Sequence, residues 1–481
     1  MKSLYRLILG IGVLTGIGIE AGAQVSNSLY FMQGVPQTNR INPAYQPDCD
    51  LYIGIPFLAP LRTEETSSPY AWSDLIYPHP TQDSLITFLH PLGDKDAFLN
   101  KLKPMNYVLS HSGSSWLSVG FRTEIGFFAV DVTTRFDGSL YVPGDLGMLL
   151  VNGTEDGKTY NLDGLSTDWM GYDEVSVGWS GAILDNLNVG VRGKVLFGVG
   201  NIATMNSNLS LTTSQDSWHI LSDMHFAASL PFADVTYDEE GRISDIALKD
   251  EVENLDPWQL PKYAFNTRNF GLGIDLGVEY RPMDNLLLSA SFLDLGYIKW
   301  KDETHEMSYK TEYDFPGFEI DPLELQDDFN MGEYLDSAFN QLGDSLSSFL
   351  EFAPGGVYTR KLNTKLYVGA SYWVTPEINF GLLSRTDFLT GQIAESLTAS
   401  ANFAVGEWLN LTLSYSYIHS YFKNVGAGFS IHKGPINLYV ISDNALNLVF
   451  WPQDTRAVNV WLGVNLVFGC KDIYRDRPLV Y

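Results

Sequence analysis

The chain has 481 residues and a formal net charge of -27, with 30 basic and 57 acidic side chains. Because binding to nucleic-acid phosphates needs basic patches, this balance excludes nucleic acid as an expected partner. Only 18% of the residues are charged, whereas 11 Trp, 26 Tyr and 27 Phe are present and the mean hydropathy is -0.05. Aromatic girdles with near-neutral hydropathy are typical of membrane β-barrels, although large soluble β proteins reach similar values.

The first 23 residues have the layout of a secretory signal peptide. Lys2 and Arg6 give a basic start, an apolar run covers residues 7–19, and the small residues Ala21-Gly22-Ala23 follow. The run is shorter than the roughly 20 residues of a membrane-spanning helix, which argues against an uncleaved anchor. We therefore expect an exported protein that is cleaved after Ala23.

Apolar and polar residues alternate strictly through most of the mature chain. Residues 271–280, 409–417 and 458–468 each place one apolar set on alternate positions. A period of two puts such a set on one face of a β-sheet. A β-sandwich also alternates, but its strands average about five or six residues, and several stretches here reach the length of about ten that tilted membrane strands need.

Turn residues and long insertions divide these strands. Short turns fall at 185–186, 282–285, 375–376 and 433–434, and long insertions are predicted at about 59–114, 137–173, 229–268 and 302–353. Short turns at one rim and long loops at the other are the pattern of bacterial outer-membrane barrels. The pattern yields an odd strand number, whereas single-chain barrels have an even one, so we predict about 14 to 16 antiparallel strands.

Two insertions contain helix-like segments. Asp83–Leu102 begins with an N-cap candidate, and Met331–Phe349 carries apolar residues at helical spacing. Amphipathic segments of this kind either stabilise loops over the rim or bind a partner. We predict short loop helices here and favour the stabilising role.

The two cysteines flank the predicted barrel. Cys49 precedes the first strand, predicted at Leu51–Phe57, and Cys470 follows the last, predicted at Val458–Phe468. Closing a barrel pairs its first and last strands antiparallel, which brings these ends together at the periplasmic rim. An exported chain permits oxidation, so we predict a Cys49–Cys470 disulfide, with two free thiols as the alternative.

Motifs for catalysis or cofactors are poor. The sequence contains no Gly-x-Ser-x-Gly, no His-Glu-x-x-His and no cysteine pair at zinc spacing. Residues 198–203 fit a degenerate dinucleotide pattern, but a strand rather than a helix is expected after it. The acidic clusters at 238–240, 250–253 and 327–328 match no ordered calcium loop and are interpreted as solvated surface. We predict no enzyme, no cofactor and no metal.

Charged residues also occur on the faces predicted to point into the lumen. Such residues either line a pore, bind a plug segment or neutralise one another between neighbouring strands. The candidate lumen-facing residues are Arg192, Lys194, Asp275, Glu279 and Arg281.

Short motifs near the beginning, middle and end resemble those of an uncharacterised family of Bacteroidota outer-membrane barrels. They are the Tyr30-Phe31-Met32 stretch with Asn42-Pro43-Ala44, the segment 280–296, and Asn465 to Cys470. Hairpins similar to the middle segment occur in FadL-like long-chain fatty-acid transporters and in PorV, the shuttle protein of type IX secretion. The resemblance implies a FadL-like barrel with an N-terminal segment in or against the lumen. Pro43 biases Asn42 towards an extended conformation before the first strand, but a plain turn would use the same residues.

The predicted organisation is a signal peptide (1–23), an N-terminal periplasmic or plug segment (24–47), an outer-membrane β-barrel (48–470) and a periplasmic tail (471–481). Fold does not establish function, so several interpretations stay open. The first is binding or uptake of a hydrophobic or amphipathic small molecule. The others are a scaffold that docks a secreted or surface protein, a lipid-modifying enzyme, and a soluble exported β protein.

Overall fold

One antiparallel sheet closes on itself as a barrel of 14 wall strands. The computed structural model describes residues 27–215, 217–237, 243–253, 260–315, 350–389, 392–418 and 421–470. The predicted fold class is thereby confirmed, and the strand number lies at the lower end of the predicted 14 to 16. The signal peptide, the tail, the helix predicted at Met331–Phe349 and the acidic clusters at 238–240 and 327–328 fall outside the described residues.

The strands are numbered in chain order. They are β1 (Leu51–Gly54), β2 (Leu61–Ser67), β3 (Ile76–Pro78), β4 (Leu85–Thr87), β5 (Met105–Thr123), β6 (Gly126–Pro143), β7 (Thr159–Asn161), β8 (Ser166–Leu184), β9 (Leu187–Thr213), β10 (Trp218–Ser229), β11 (Ala233–Tyr237), β12 (Ile243–Leu248), β13 (Phe270–Met283), β14 (Leu286–Trp300), β15 (Thr304–Phe315), β16 (Leu350–Pro354), β17 (Tyr358–Lys361), β18 (Thr364–Thr375), β19 (Ile378–Leu389), β20 (Gln392–Val405), β21 (Leu409–Ile418), β22 (Tyr421–Lys433), β23 (Ile436–Ser442) and β24 (Ala457–Phe468).

Helices are short and lie between strands or inside the barrel. The α-helices are α1 (Trp72–Leu75), α2 (Lys95–Leu99), α3 (Gly144–Asn152), α4 (Asp250–Glu253), α5 (Leu260–Ala264) and α6 (Ala445–Phe450). The 3-10 helices are Asn27–Leu29, Pro36–Arg40 and Pro452–Asp454. In the described parts of the chain, no helix combines the length and the apolar content needed to cross a membrane.

The first and last strands close the barrel. Strands β1 and β2 occupy one wall position between β5 and β24, with Tyr52 opposite Gly120 on one side and opposite Val467 on the other. All pairings in the wall are antiparallel, which allows consecutive strands to be joined by short hairpins. In the described part of the chain, closure pairs each of the 14 wall positions with a neighbour on both sides.

Alternation along each strand separates an apolar outer face from a polar lumen. On β13, Leu272, Ile274 and Leu276 are exposed on the outside, whereas Asp275 between them is buried inside. A shift of the strand by one residue would turn these apolar side chains into the lumen and Asp275 outward, so the alternation fixes the register. The barrel thus presents an apolar outer surface, as expected of a wall that contacts lipid.

Short turns collect at one rim, which we call the short-turn rim. Turns at 124–125, 185–186, 284–285, 376–377 and 434–435 join consecutive strands there, and the ends of β1 and β24 lie at the same rim. At the opposite, long-loop rim the wall is much longer than predicted: β5 begins at Met105, inside the predicted insertion 59–114, and β6 runs to Pro143.

The wall is extended at the long-loop rim by stacked strands. The 27-residue strand β9 pairs with β13 over its first half and with β10 over its second half. Strand β10 pairs in turn with β15, and β15 with β16. Because a tilted strand crosses a bilayer in about 9–11 residues, a strand of this length continues well beyond a membrane.

The helix predicted at Asp83–Leu102 is wrong in most of its length. Residues Leu85–Thr87 form strand β4, which pairs with β3, and only Lys95–Leu99 is helical, capped by the Asp94 side chain. The segment between them contains Pro91 and Gly93, which interrupt a helix because one lacks an N–H and the other favours other backbone conformations.

Candidate functional site: the plugged lumen

Residues 27–47, which we call the plug, lie inside the barrel. The segment starts beside Asp443, just beyond the end of β23 that faces the long-loop rim, and descends to the short-turn rim. There Arg122 donates hydrogen bonds to the Gln46 side chain (2.8 Å) and to the Pro47 carbonyl (2.5 Å). Most of the plug is buried, including its polar side chains. The polar lumen therefore packs against a piece of the same chain.

The upper end of the plug is anchored by one carboxylate. The backbone N–H groups of Asn27 and Ser28 donate to the two oxygens of Asp443 at 2.7 and 2.8 Å. The Ser28 hydroxyl donates to the same carboxylate and lies 2.6 Å from the Ser414 hydroxyl. Asp443 is fully buried, so these charge-assisted bonds replace the hydration that the carboxylate loses.

Below this anchor the plug packs on an apolar patch of the lumen wall. Tyr30 stacks on Tyr367 with ring centroids 5.5 Å apart, and burial raises the pKa of the Tyr30 phenol to about 12. Such aromatic pairs add about 0.5–1.5 kcal/mol beyond the area they bury. The buried cluster comprises Leu29, Tyr30, Phe31, Met32, Val35 and Ile41 of the plug with Leu287, Leu293, Tyr367, Leu383, Tyr439, Ile441 and Trp461 of the wall.

Paired polar contacts fix the lower half of the plug. The side-chain amides of Gln37 and Asn465 bond each other reciprocally, at 2.6 and 3.1 Å. Arg40 donates to the hydroxyls of Ser115 (2.6 Å) and Thr133 (2.7 Å). Because buried polar groups cost free energy when they lack partners, these bonds specify one position of the plug in the lumen.

The Asn42-Pro43-Ala44 motif lies against two wall glycines. The Asn42 amide donates to Glu279 at 3.0 Å, and the Asn42 oxygen accepts from the Ala44 N–H at 3.1 Å. A Cβ atom on Gly190 would lie 2.0 Å from the Pro43 carbonyl oxygen, and one on Gly277 would lie 2.6 Å from the Ala44 nitrogen. Only glycine permits so close an approach of two backbones. These glycines were missed from sequence, although both stand at inward positions of alternating strands.

A network of ionised side chains, which we call the charge layer, lies next to the plug in the lumen. Its centre is the buried carboxylate of Asp294, which accepts two hydrogen bonds from the Arg135 guanidinium at 2.7 and 2.9 Å. Lys194 and Lys365 reach the same carboxylate at 2.6 and 3.3 Å. Burying ions is costly, and several partners around one carboxylate offset that cost only when the geometry is kept.

Four of the five candidate lumen residues lie inside the barrel. Lys194 contacts Asp275 at 2.8 Å as well as Asp294, and Glu279 holds Asn42 of the plug. Arg192 lies 3.5 Å from Asp131 and 3.4 Å from the Asn39 side chain. They are thus engaged by the plug and by neighbouring strands. Arg281, in contrast, is exposed near the turn at 284–285 on the short-turn rim.

The lumen becomes apolar again towards the long-loop rim. One buried cluster is formed by Met170, Tyr172, Leu196, Ile298, Trp300 and Leu362, and a second by Tyr107, Leu109, Tyr141, Leu389 and Ala394. Between them the side chains of Arg360 and Asp168 form an ion pair. The lumen therefore has three levels: a plugged lower level, the charge layer and an upper aromatic level.

Cys49 and Cys470 are joined as a disulfide at the short-turn rim, where β1 and β24 meet. Tyr52, Phe127 and Val467 pack around them. A cavity lies beside the disulfide, between the plug and strands β21–β24. The centre of a water molecule can occupy about 170 Å³ of it. Its lining includes Gly34, Pro36, Tyr45, Asn410, His432 and Asn437.

The described part of the chain contains no group of three or more His, Cys, Asp or Glu side chains arranged to hold a metal ion. The dinucleotide-like stretch 198–203 lies within strand β9 and opens no helix.

Comparison with known proteins identifies the family. A family model, the family of unknown function DUF5723, matches residues 43–443. The chain belongs to this family. No curated protein sequence matches it.

Several solved barrels are similar to the chain at low identity. The toluene transporter TbuX of Ralstonia pickettii is 8% identical, with 95% of this chain and 98% of that chain covered and a TM-score of 0.38. A FadL homologue of Pseudomonas aeruginosa is 10% identical, with 94% and 99% covered and a TM-score of 0.40. The translocator domain of the autotransporter NalP of Neisseria meningitidis is 8% identical, with 87% and 88% covered and a TM-score of 0.29.

Proposed function

We propose that this DUF5723 protein is an outer-membrane barrel that takes up a hydrophobic or amphipathic small molecule, with the plug as its gate. The protein is exported after signal-peptide cleavage at Ala23, and the short-turn rim faces the periplasm. No catalytic role is proposed.

The observation that carries this proposal is the apolar patch beneath the plug. Wall residues Tyr367, Leu383 and Trp461 point into the lumen of a barrel whose inner face is otherwise mostly polar, and the plug covers them with Leu29 to Met32. Displacing the plug would expose an apolar surface inside the lumen. Such a surface suits a lipophilic molecule, because transfer of apolar area out of water is favourable by about 25 cal/mol per Å².

The contacts of the plug are of a kind that permits movement. Residues 27–47 are held by hydrogen bonds, ion pairs and packing, and their covalent link to the wall is the chain at Cys49. Each hydrogen bond contributes about 0.5–1.5 kcal/mol net, and about 1.5–3 kcal/mol when one partner is charged. A ligand that competes for the apolar patch can therefore shift the plug without unfolding the wall.

A second candidate function is supported by the extension of the wall. Strands β10, β15 and β16 continue the sheet beyond β13 and β14 at the long-loop rim. Together with the packed lumen, this projecting ribbon suits an extracellular scaffold that docks a secreted or surface protein.

The distinguishing experiment is mass spectrometry of what co-purifies with the protein after gentle extraction from its native outer membrane. A stoichiometric lipophile that is lost when the apolar patch is made polar, as in Leu383→Gln, supports uptake. A matched Leu446→Gln substitution in the exposed helix α6 should leave the lipophile bound. A stoichiometric protein partner without lipid overturns the uptake proposal in favour of the scaffold.

A further inference from the structure

The charge layer encloses a small polar cavity with an excess of cations. The volume open to the centre of a water molecule is about 20 Å³, enough for one water-sized group. Its cationic lining residues are Arg40, Arg62, Arg135, Arg192, Lys194 and Lys365.

Fewer carboxylates than cations surround this cavity. Four carboxylates lie within ion-pair distance of five of these cations: Asp131, Glu174, Asp275 and Asp294. The nearby Asp137 carboxylate is engaged by His111 at 2.8 Å and accepts a hydrogen bond from the Tyr172 hydroxyl. Among the described residues, six cations thus face four contacting carboxylates, and one positive charge remains in excess when Asp137 is counted as well.

Arg62 is the lining cation that has no carboxylate of the described residues within ion-pair distance. Five of the six cations contact a carboxylate, whereas within the described part of the chain the side chain of Arg62 makes neither a hydrogen bond nor an ion pair. Its charged surroundings include Arg135 and Arg40, which repel it, and Asp294 and Asp137, which attract it. A guanidinium carries five N–H donors and accepts nothing, so a group that satisfies it must be an acceptor.

We propose that the cavity is a binding site for a small monovalent inorganic anion of the size of a halide. The charge excess selects an anion over neutral water, and the volume excludes phosphate, sulfate and organic acids. The ion would lie between Arg62 of the wall and Arg40 of the plug, since both line the cavity. It would therefore tie the plug to the wall, independently of any molecule that the barrel transports.

Bromide is a suitable probe because its anomalous scattering locates it. Crystals of the full mature protein in sodium bromide should show an anomalous peak in this cavity within hydrogen-bonding distance of the Arg62 guanidinium. The peak should vanish in Arg62→Met and persist in Arg268→Met, which removes an equal charge from an arginine whose side chain is 71% exposed. A wild-type map without the peak overturns the proposal, as does a peak that survives Arg62→Met.

Thermal unfolding gives a second readout that does not depend on the folding of a variant. Replacing gluconate, which is too large for the cavity, with bromide at equal ionic strength should raise the unfolding temperature of the wild-type protein in a saturable way. An unchanged unfolding temperature together with an empty wild-type map contradicts the site even if Arg62→Met fails to fold.

Discussion

Single carboxylates position the plug and the charge layer, and their partners come from distant parts of the sequence. Asp443 binds residues 27 and 28 across the lumen, and Arg135 meets Asp294 from a strand on another part of the wall. Sequence patterns identified the inward face that carries Lys194 and Asp275. They missed Asp294 because a β-bulge between β13 and β14 shifts it out of the alternation, with a positive φ of 59°.

Asp443→Ala should loosen the upper end of the plug. The substitution removes the acceptor of two backbone hydrogen bonds, each worth about 1.5–3 kcal/mol. Chymotrypsin cleavage at Tyr30 and Phe31 should therefore become at least about 10-fold faster, the effect of losing one such bond, since proteolysis follows the population of the opened state. Asp443→Asn keeps one oxygen acceptor and should be intermediate. Equal cleavage rates in all three proteins would show that this carboxylate does not hold the plug.

Asp294→Asn should destabilise the whole barrel. Arg135, Lys194 and Lys365 would lose the charge that they share in a buried site, and breaking such a network costs about 3–5 kcal/mol. The measurement is the midpoint of denaturant unfolding in detergent. The control is Asp185→Asn, at an exposed turn on the short-turn rim. Coincident midpoints for the two variants would contradict a structural role of the charge layer.

At the scale of elements, the plug and the strand β9 fit each other through backbone contact. The Asn42-Pro43-Ala44 motif needs glycine at position 190, where a Cβ would collide with the Pro43 carbonyl. The motif and Gly190 can both be read from the sequence, but only the folded barrel shows that the motif packs against this glycine.

Gly190→Leu should displace the plug without breaking the wall. The matched control is Gly193→Leu on the same strand, where a Cβ would meet no atom within 4 Å. Gly190→Leu should gain protease sensitivity between residues 27 and 47 by tenfold or more, because a clash of this size costs at least about 1–3 kcal/mol. Equal protease resistance of the two variants would contradict the contact between the motif and Gly190.

The disulfide belongs to the closure seam of the wall. Replacing Cys49 and Cys470 with serine should lower the free energy of unfolding by about 2–4 kcal/mol, while the barrel still assembles. Mass spectrometry of non-reduced peptides checks the bond directly. Recovery of both cysteines in alkylated form would contradict it.

For the whole molecule, sequence periodicity was sufficient to predict an antiparallel barrel and its approximate strand number. It underestimated the wall at the long-loop rim, where the start of β5 and the end of β6 fell within predicted insertions. In β5 the polar run Ser110–Ser115 hides the alternation that marks a strand. The three levels of the lumen were also beyond the sequence. Each level consists of single inward-facing residues from many strands. The height of each residue along the barrel axis depends on the stagger between neighbouring strands, which the sequence does not reveal.

In the proposed function, the plug closes the lumen and can leave it. The measurement that tests this most directly is the conductance of the full mature protein in planar lipid bilayers. We expect no steady open channel for the wild-type protein or Gly193→Leu, and channel openings for Gly190→Leu. A wild-type barrel with a steady conductance like that of an open porin would contradict it.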